Sequence, residues 1–281
     1  KLLLFYGNVI LTLQPQTNLD NMDNQFSRTE LLLGSDAMDT LKNSKVLVFG
    51  VGGVGGYVVE VLARSGVGTI AIVDDDHIGL SNMNRQIIAT HSTLGRAKVD
   101  VMEERIKDIN PTCEVRKFQT FYLPEVADQF DFSAYNYVVD CIDTVVAKID
   151  IITRCHNLKT PIICSMGAAF KMEPTQLMVT DLFKTINDPL AKVLRKKLRK
   201  TNVRNIKVVY SPEEPLSSLS IEENQESNCE IEKSETIAHK KRTTPASNAW
   251  VPAAAGLIIG GEVVKDLCRA AETLRKVNVK D

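Results

Sequence analysis

The stretch KVLVFGVGGVGGYVVEVLA, residues 45–63, constrains the fold more than any other part of the chain. KVLVF is a short apolar run with no polar alternation, the pattern of a parallel strand covered on both faces. Gly50, Gly52 and Gly55 follow at the spacing G-x-G-x-x-G, and residues 54–65 then read as a helix. Glycines at such a strand-to-helix turn let backbone N–H groups approach a phosphate at the helix N-terminus. TIAIVD, 69–74, gives a second strand, and it ends on Asp74, about where an acid would accept from ribose hydroxyls.

The alternation continues. Val99, Met102, Ile106 and Ile109 recur at helical spacing until Asn110-Pro111 ends the helix. Strands are expected near 115–120, at YNYVVD (135–140) and at TPIICS (160–165), with a helix over 144–158 between the last two. The pattern predicts an α/β chain: a Rossmann-like, doubly wound sheet, mostly parallel, with helices on both faces. TQLMVTD and IKVVY read as further strands, an antiparallel extension of that sheet.

Before this core, Ser27-Arg28-Thr29-Glu30 has the spacing of a capping box, which predicts one helix from there to about Leu41. After it, Asp188-Pro189 starts a helix whose buried stripe should be Leu190, Val193, Leu194 and Leu198. Residues 211–248, rich in Ser, Glu, Asn and Pro, read as a mobile loop. A last helix from Pro252 carries Gly256 and Gly260 on one face for close packing. Residues 1–22 read as an N-terminal extension outside the functional domain, which takes in 23–281 as a single unit.

The net charge of −1 hides local asymmetry. Residues 184–207 hold nine Lys or Arg against Asp188, and 213–236 hold eight Glu against Lys233. The basic block suits a nucleic-acid surface. Six cysteines without a C-x-x-C pair or framework spacing fit a reduced, cytoplasmic setting and argue against a cysteine-bound structural zinc. The N-terminal apolar run is too short to span a bilayer, and Glu262 and Lys265 interrupt the last helix, so no transmembrane span is expected.

The segment DDDHIGLSNMNRQ, 74–86, separates nucleotide chemistries that the glycines leave open. A hydride-transfer enzyme keeps its cofactor's phosphates intact and needs no cations gathered on them. Cleavage of ATP between its α- and β-phosphates must stabilise charge on both sides of the broken bond. Arg85, and Lys98 in the GRAK sequence, suit that work, while Asp76, or Asp143 in D-C-I-D, can hold magnesium. Asp143 follows a strand end, where open α/β sheets place ligands.

Together GVGGVGG, DDD, SNMNRQ, GRAK and DCID resemble the ATP-dependent adenylating family of ubiquitin-activating enzymes and bacterial sulfur-carrier activators. Within it, PTQLMVTDLFKTINDPLAKVLRKKLR (174–199), SRTELLLG and INP resemble the branch of transfer-RNA threonylcarbamoyladenosine dehydratases. The resemblance implies a homodimer that binds Mg-ATP and adenylates the threonyl carboxylate of threonylcarbamoyladenosine in transfer RNA. Ring closure then expels AMP. By the same resemblance Gly50, Gly52, Gly53 and Gly55 contact phosphates and Asp74 the ribose. Asn82, Arg85, Gln86 and Lys98 surround the triphosphate, Asp143 and Asp76 face magnesium, and Arg28 reaches across the dimer. A monovalent cation and a sulfur-transfer protein also come with the resemblance, without residues to point to them. Relatives often carry cysteine pairs in the loop after the core. Here there is Cys229 beside Glu230, which disfavours a thiolate, and Cys229 is expected to be a surface thiol. Activation of a ubiquitin-like protein's C-terminus, and less so an NAD-dependent dehydrogenase, are the alternatives.

Overall fold

The computed structural model describes residues 24–217 and 245–275. In chain order the elements are α1 (Ser27–Leu33), α2 (Ser35–Lys42), β1 (Lys45–Phe49), α3 (Gly55–Arg64), β2 (Thr69–Val73), α4 (Lys98–Ile109) and β3 (Glu114–Phe118). Then come β4 (Tyr137–Asp140), α5 (Val145–Leu158), β5 (Ile162–Ser165), β6 (Met178–Asp181), α6 (Pro189–Leu198), β7 (Lys207–Tyr210) and α7 (Trp250–Ala270).

One seven-stranded sheet has the order β3-β2-β1-β4-β5-β7-β6. Its pairings are parallel except β6 with β7, the antiparallel extension read from TQLMVTD and IKVVY. Successive residues of a strand face opposite ways. Val46 and Val48 of β1 join Ile70 and Ile72 of β2 under α3, α4 and α7. Leu47 and Phe49 join Ala71, Val73 and Val138 against Ala147, Ile151 and Cys155 of α5 and the aromatic residues Tyr122, Phe130 and Phe132. A third cluster seats Ala191, Leu194 and Leu198 of α6 on Cys164, Val208 and Tyr210. Coverage on both faces explains why these strands are continuously apolar.

Close helix packing accounts for the glycines of α7. A Cβ on Gly256 would stand 2.4 Å from the Val54 carbonyl oxygen, and one on Gly260 2.6 Å from Val61 Cβ. The helix starts at Trp250, two residues before the expected Pro252.

Three expectations need correction. The helix read from Ser27 to about Leu41 is two helices, because Gly34 at φ +92° breaks it. The capping box does not form either: Ser27 is already helical and its hydroxyl donates to the Asn24 carbonyl. On α6, Val193 faces solvent, and Ala191 fills the stripe with Leu194 and Leu198. The 1–22 extension, Cys229 and residues 218–244 of the expected loop lie outside the described residues. Among the described residues no helix is long and apolar enough to cross a membrane.

Candidate nucleotide site

β1 and β4 are neighbours, but the chain leaves them toward opposite edges of the sheet: β2 lies beyond one and β5 beyond the other. Such a switch point leaves a crevice at the carboxyl ends of the two strands. The glycine turn follows β1, and Cys141-Ile142-Asp143 follows β4. The two loops touch, since a Cβ on Gly50 would stand 3.1 Å from the Cys141 carbonyl oxygen. Gly50 also takes φ +83°, which favours glycine. Gly55 lets the first turn of α3 press onto that strand end, where a Cβ would overlap the Gly50 carbonyl oxygen at 1.8 Å.

Asp74, at the end of β2, braces this turn. Its Oδ2 accepts from Val51 N–H at 2.9 Å and its Oδ1 from Asp76 N–H at 3.0 Å. Burial raises the Asp74 carboxyl above its usual range, opposed by Lys98 and by the two N–H donors. Lys98 is delivered by a short antiparallel bridge, His77 to Ala97, in which Lys98 N–H donates to the Asp76 carbonyl at 3.0 Å. Its ammonium lies 2.6 Å from Asp76 Oδ2 and 3.5 Å from Asp74 Oδ1.

The 3₁₀ turn 80–82 folds the rest of the segment back over the glycines. Asn82 Oδ1 accepts from Gly79 N–H at 3.0 Å and so fixes that turn. The Arg85 side chain then crosses Gly53, whose Cβ would stand 3.2 Å from Arg85 Cγ and 3.3 Å from Cδ. Its guanidinium donates to the Ser81 carbonyl at 3.0 Å and to Asn84 Oδ1 at 2.9 Å. Gln86 is buried beside Gly52, and its Oε1 has no hydrogen-bond partner among the described residues. A buried, unpaired amide oxygen costs free energy unless something satisfies it. The Gln86 Nε2 is the side-chain atom that lies against Gly52, 3.6 Å from where a Cβ there would stand.

Asp74, Asp75 and Asp76 each offer a carboxylate oxygen within 4.8 Å of one another, a hard-oxygen donor set that fits Mg²⁺. Asp143 is exposed at the mouth of the β4 loop and is not part of that trio. Arg28 stands exposed on α1. Among the described residues nothing brings it to the crevice.

Sequence reasoning overlooked two buried lysines. Lys148 and Asp140 are both fully buried, 2.8 Å apart, under the β4 loop. Burial alone would push this ammonium down, and the Asp140 charge holds it up. Asp140 also accepts from Ile142 N–H at 3.3 Å, so the pair sets the loop that carries Asp143. Lys171, beyond β5, donates to the carbonyls of Asn187 at 3.3 Å, Ser211 at 3.4 Å and Glu213. A spacing of i, i+8 in D-C-I-D-T-V-V-A-K was the available signal for the first. The partners of Lys171 lie too far along the chain for any local signal. Burial raises the Cys141 thiol to about 12, so it stays protonated beside the turn at neutral pH.

The ThiF family profile matches residues 25–279. A tRNA threonylcarbamoyladenosine dehydratase of Bacillus subtilis (strain 168) is 46% identical over 261 residues, which span 92% of this chain and 100% of that protein. The crystal structure of Escherichia coli TcdA, a tRNA N6-threonylcarbamoyladenosine dehydratase, in complex with ATP is similar with a TM-score of 0.76 and 32% identity. That similarity covers 88% of this chain and 95% of the other, and the complex with AMP gives the same figures. From the glycine turn to the last helix, then, this chain belongs to the ThiF family, beside its members named tRNA threonylcarbamoyladenosine dehydratase.

Proposed function

We propose that this chain is an ATP-dependent dehydratase acting on threonylcarbamoyladenosine in transfer RNA. The observation that carries the reading is the folding of Arg85 and Gln86 onto the glycine turn, beside Lys98 and its carboxylates. Cations gathered at a phosphate cradle suit a reaction that breaks a phosphoanhydride.

In the proposed reaction the threonyl carboxylate oxygen attacks the α-phosphorus of ATP. A carboxylate–phosphorus bond forms, the α–β anhydride bond breaks, and pyrophosphate leaves. A nucleophilic atom of the carbamoyl group then attacks the activated carbonyl carbon, loses its proton, and AMP departs with the former carboxylate oxygen. The modification loses the elements of water. Gly50, Gly52, Gly53 and Gly55 would line the phosphates, with Asp74 toward the ribose. Arg85, Lys98, Gln86 and Asn82 would surround the triphosphate, with Arg85 and Lys98 offsetting the charge that builds as the anhydride breaks. Asp76 and Asp143 would hold Mg²⁺, which when bound supplies further neutralisation of phosphate charge. Arg28 would act from the partner copy of a homodimer. A cytoplasmic setting is in keeping with a transfer-RNA substrate.

The test combines ligand and product. Mg-ATP at about 100 times its Kd should stabilise the chain by roughly 2.7 kcal/mol, which is roughly 5–10 °C in Tm for a domain of this size. NAD should give no shift. Cells lacking the gene should accumulate the linear modification and lose the cyclic one by nucleoside mass spectrometry. Stabilisation by NAD alone, or unchanged nucleosides, would overturn the reading.

A further inference from the structure

α7 opens with the single tryptophan of the sequence, Trp250, and 47% of it is exposed. An indole of that exposure is usually free to turn, but this one is fastened. Its ring N–H donates to the Met172 carbonyl at 2.8 Å. Its backbone N–H and that of Val251 donate to Asn248 Oδ1 at 3.2 and 2.9 Å. Asn248 Nδ2 reaches across to the Lys171 carbonyl at 2.8 Å, on the segment that the buried Lys171 ammonium braces. Phe170 N–H donates to the Ala246 carbonyl and Leu216 N–H to the Phe170 carbonyl, both near 3 Å, and these tie the same strips together again. With its polar atom satisfied, the held indole presents apolar ring surface to solvent.

Its location is specific. Pro252 packs on the glycine turn, where a Cβ on Gly53 would stand 3.4 Å from the proline Cβ. The Ser247 carbonyl accepts from Asn84 Nδ2 at 3.0 Å, which joins the start of α7 to the loop of Arg85. The segment that carries the ring thus packs on the glycine turn and on the loop of Arg85, with the indole N–H held at Met172.

The chemistry of the proposed substrate supplies a use for such a ring. The threonylcarbamoyl arm is built on N6 of adenine, on the edge the base would use for pairing. A base so modified is presented unpaired, with its π-face available. Proteins hold unpaired bases by stacking them on aromatic side chains. We propose that Trp250 is the stacking platform for the adenine that carries the carboxylate to be adenylated. The proposal rests on the dehydratase reading of the site.

A lone tryptophan makes the test direct. Titration of the full chain with transfer RNA carrying threonylcarbamoyladenosine should quench its fluorescence saturably. Trp250→Ala and Trp250→Leu should weaken that RNA's binding by about 5- to 150-fold, the range for loss of one base stack. Trp250→Phe, which loses the hydrogen bond to Met172 but keeps a π-face, should bind within a few-fold of the parent. The Tm shift with Mg-ATP should be the same in all of them, which shows that the crevice is intact. An RNA that is cyclised without quenching the indole would overturn the proposal, as would a Phe variant no better than Leu. If the parent chain neither binds this RNA nor forms AMP with it, the dehydratase reading itself fails and the stacking role falls with it.

Discussion

The Lys98 ammonium sits 2.6 Å from Asp76 Oδ2, with the lysine 4% exposed and the aspartate side chain 65% exposed. The acids of DDDHIGLSNMNRQ are therefore answered by Lys98, and Arg85 is left to the glycine turn. In the proposed reaction a polyphosphate competes for Lys98 and a cation for Asp76, so nucleotide and metal would exchange partners with an existing pair. Lys98→Met should lower AMP formation by roughly 10²-fold or more, the scale of losing one pre-organised charge. The change should appear in kcat, measured by AMP release at saturating Mg-ATP.

Arg85 and Asp143 can be removed without opening the core. Arg85 bonds Ser81 and Asn84 within its own loop, and Asp143 is exposed. Arg85→Ala and Asp143→Ala should each lower AMP formation by roughly 10²-fold, with thermal unfolding close to that of the parent. Near-normal turnover in either variant would remove that residue from the chemistry.

Lys148 makes the contrasting case. Its ammonium and the Asp140 carboxylate are both without solvent access, so deletion of one charge strands the other. Lys148→Met should cost about 3–5 kcal/mol in denaturant unfolding. The double variant Lys148→Met with Asp140→Leu should recover much of that loss, because no buried charge is then unpaired. A single variant as stable as the parent would show that water or another group reaches Asp140.

Glu60 on α3 supplies a pH test. Burial pushes its carboxyl up, but hydrogen bonds from Arg105 at 2.6 Å and Arg64 at 2.7 Å outweigh burial and hold it below the usual range. A carboxyl lowered in the folded state stabilises above its unfolded pKa, and that contribution fades as pH falls through the folded value. The parent should exceed Glu60→Gln in stability at neutral pH, and the gap should close in acid. A gap independent of pH would mean that the effect is packing alone.

Much of the fold was legible because parallel strands covered on both faces must be continuously apolar, as KVLVF and TIAIV are. The turn was legible because G-x-G-x-x-G is a local steric requirement, visible in the contact between Gly55 and Gly50. The break at Gly34 was not: helical periodicity runs through SRTELLLGSDAMDTLK, and the backbone turns at one positive φ. Trp250 and Lys171 were missed for a different reason. Their partners, Met172, Ser211 and Asn248 among them, come from segments far apart in the chain, and only the fold brings them together.

The basic block at α6 is the surface on which the transfer-RNA reading can be checked apart from the chemistry. Asp188, the one acid between residues 184 and 207, is buried as the helix cap, with Oδ1 accepting from Ala191 N–H at 2.7 Å. Lys196, Lys197, Arg199 and Lys200 are exposed, whereas Arg195 turns back onto the Thr185 hydroxyl. Ala191, Leu194 and Leu198 carry the packing, so the four exposed cations can be replaced without disturbing the core. Each cation that meets a phosphate releases counterions on binding, at a log–log salt slope of about 0.7–0.9 per contact. Changing all four to Gln should weaken transfer-RNA affinity and flatten the slope by about 3 to 4. The Tm shift with Mg-ATP should stay as it is, because α6 packs on the β5–β7 side of the sheet, away from the glycine turn. A variant whose transfer-RNA affinity and salt slope match the parent would make this face a solvated surface and leave the RNA to bind elsewhere.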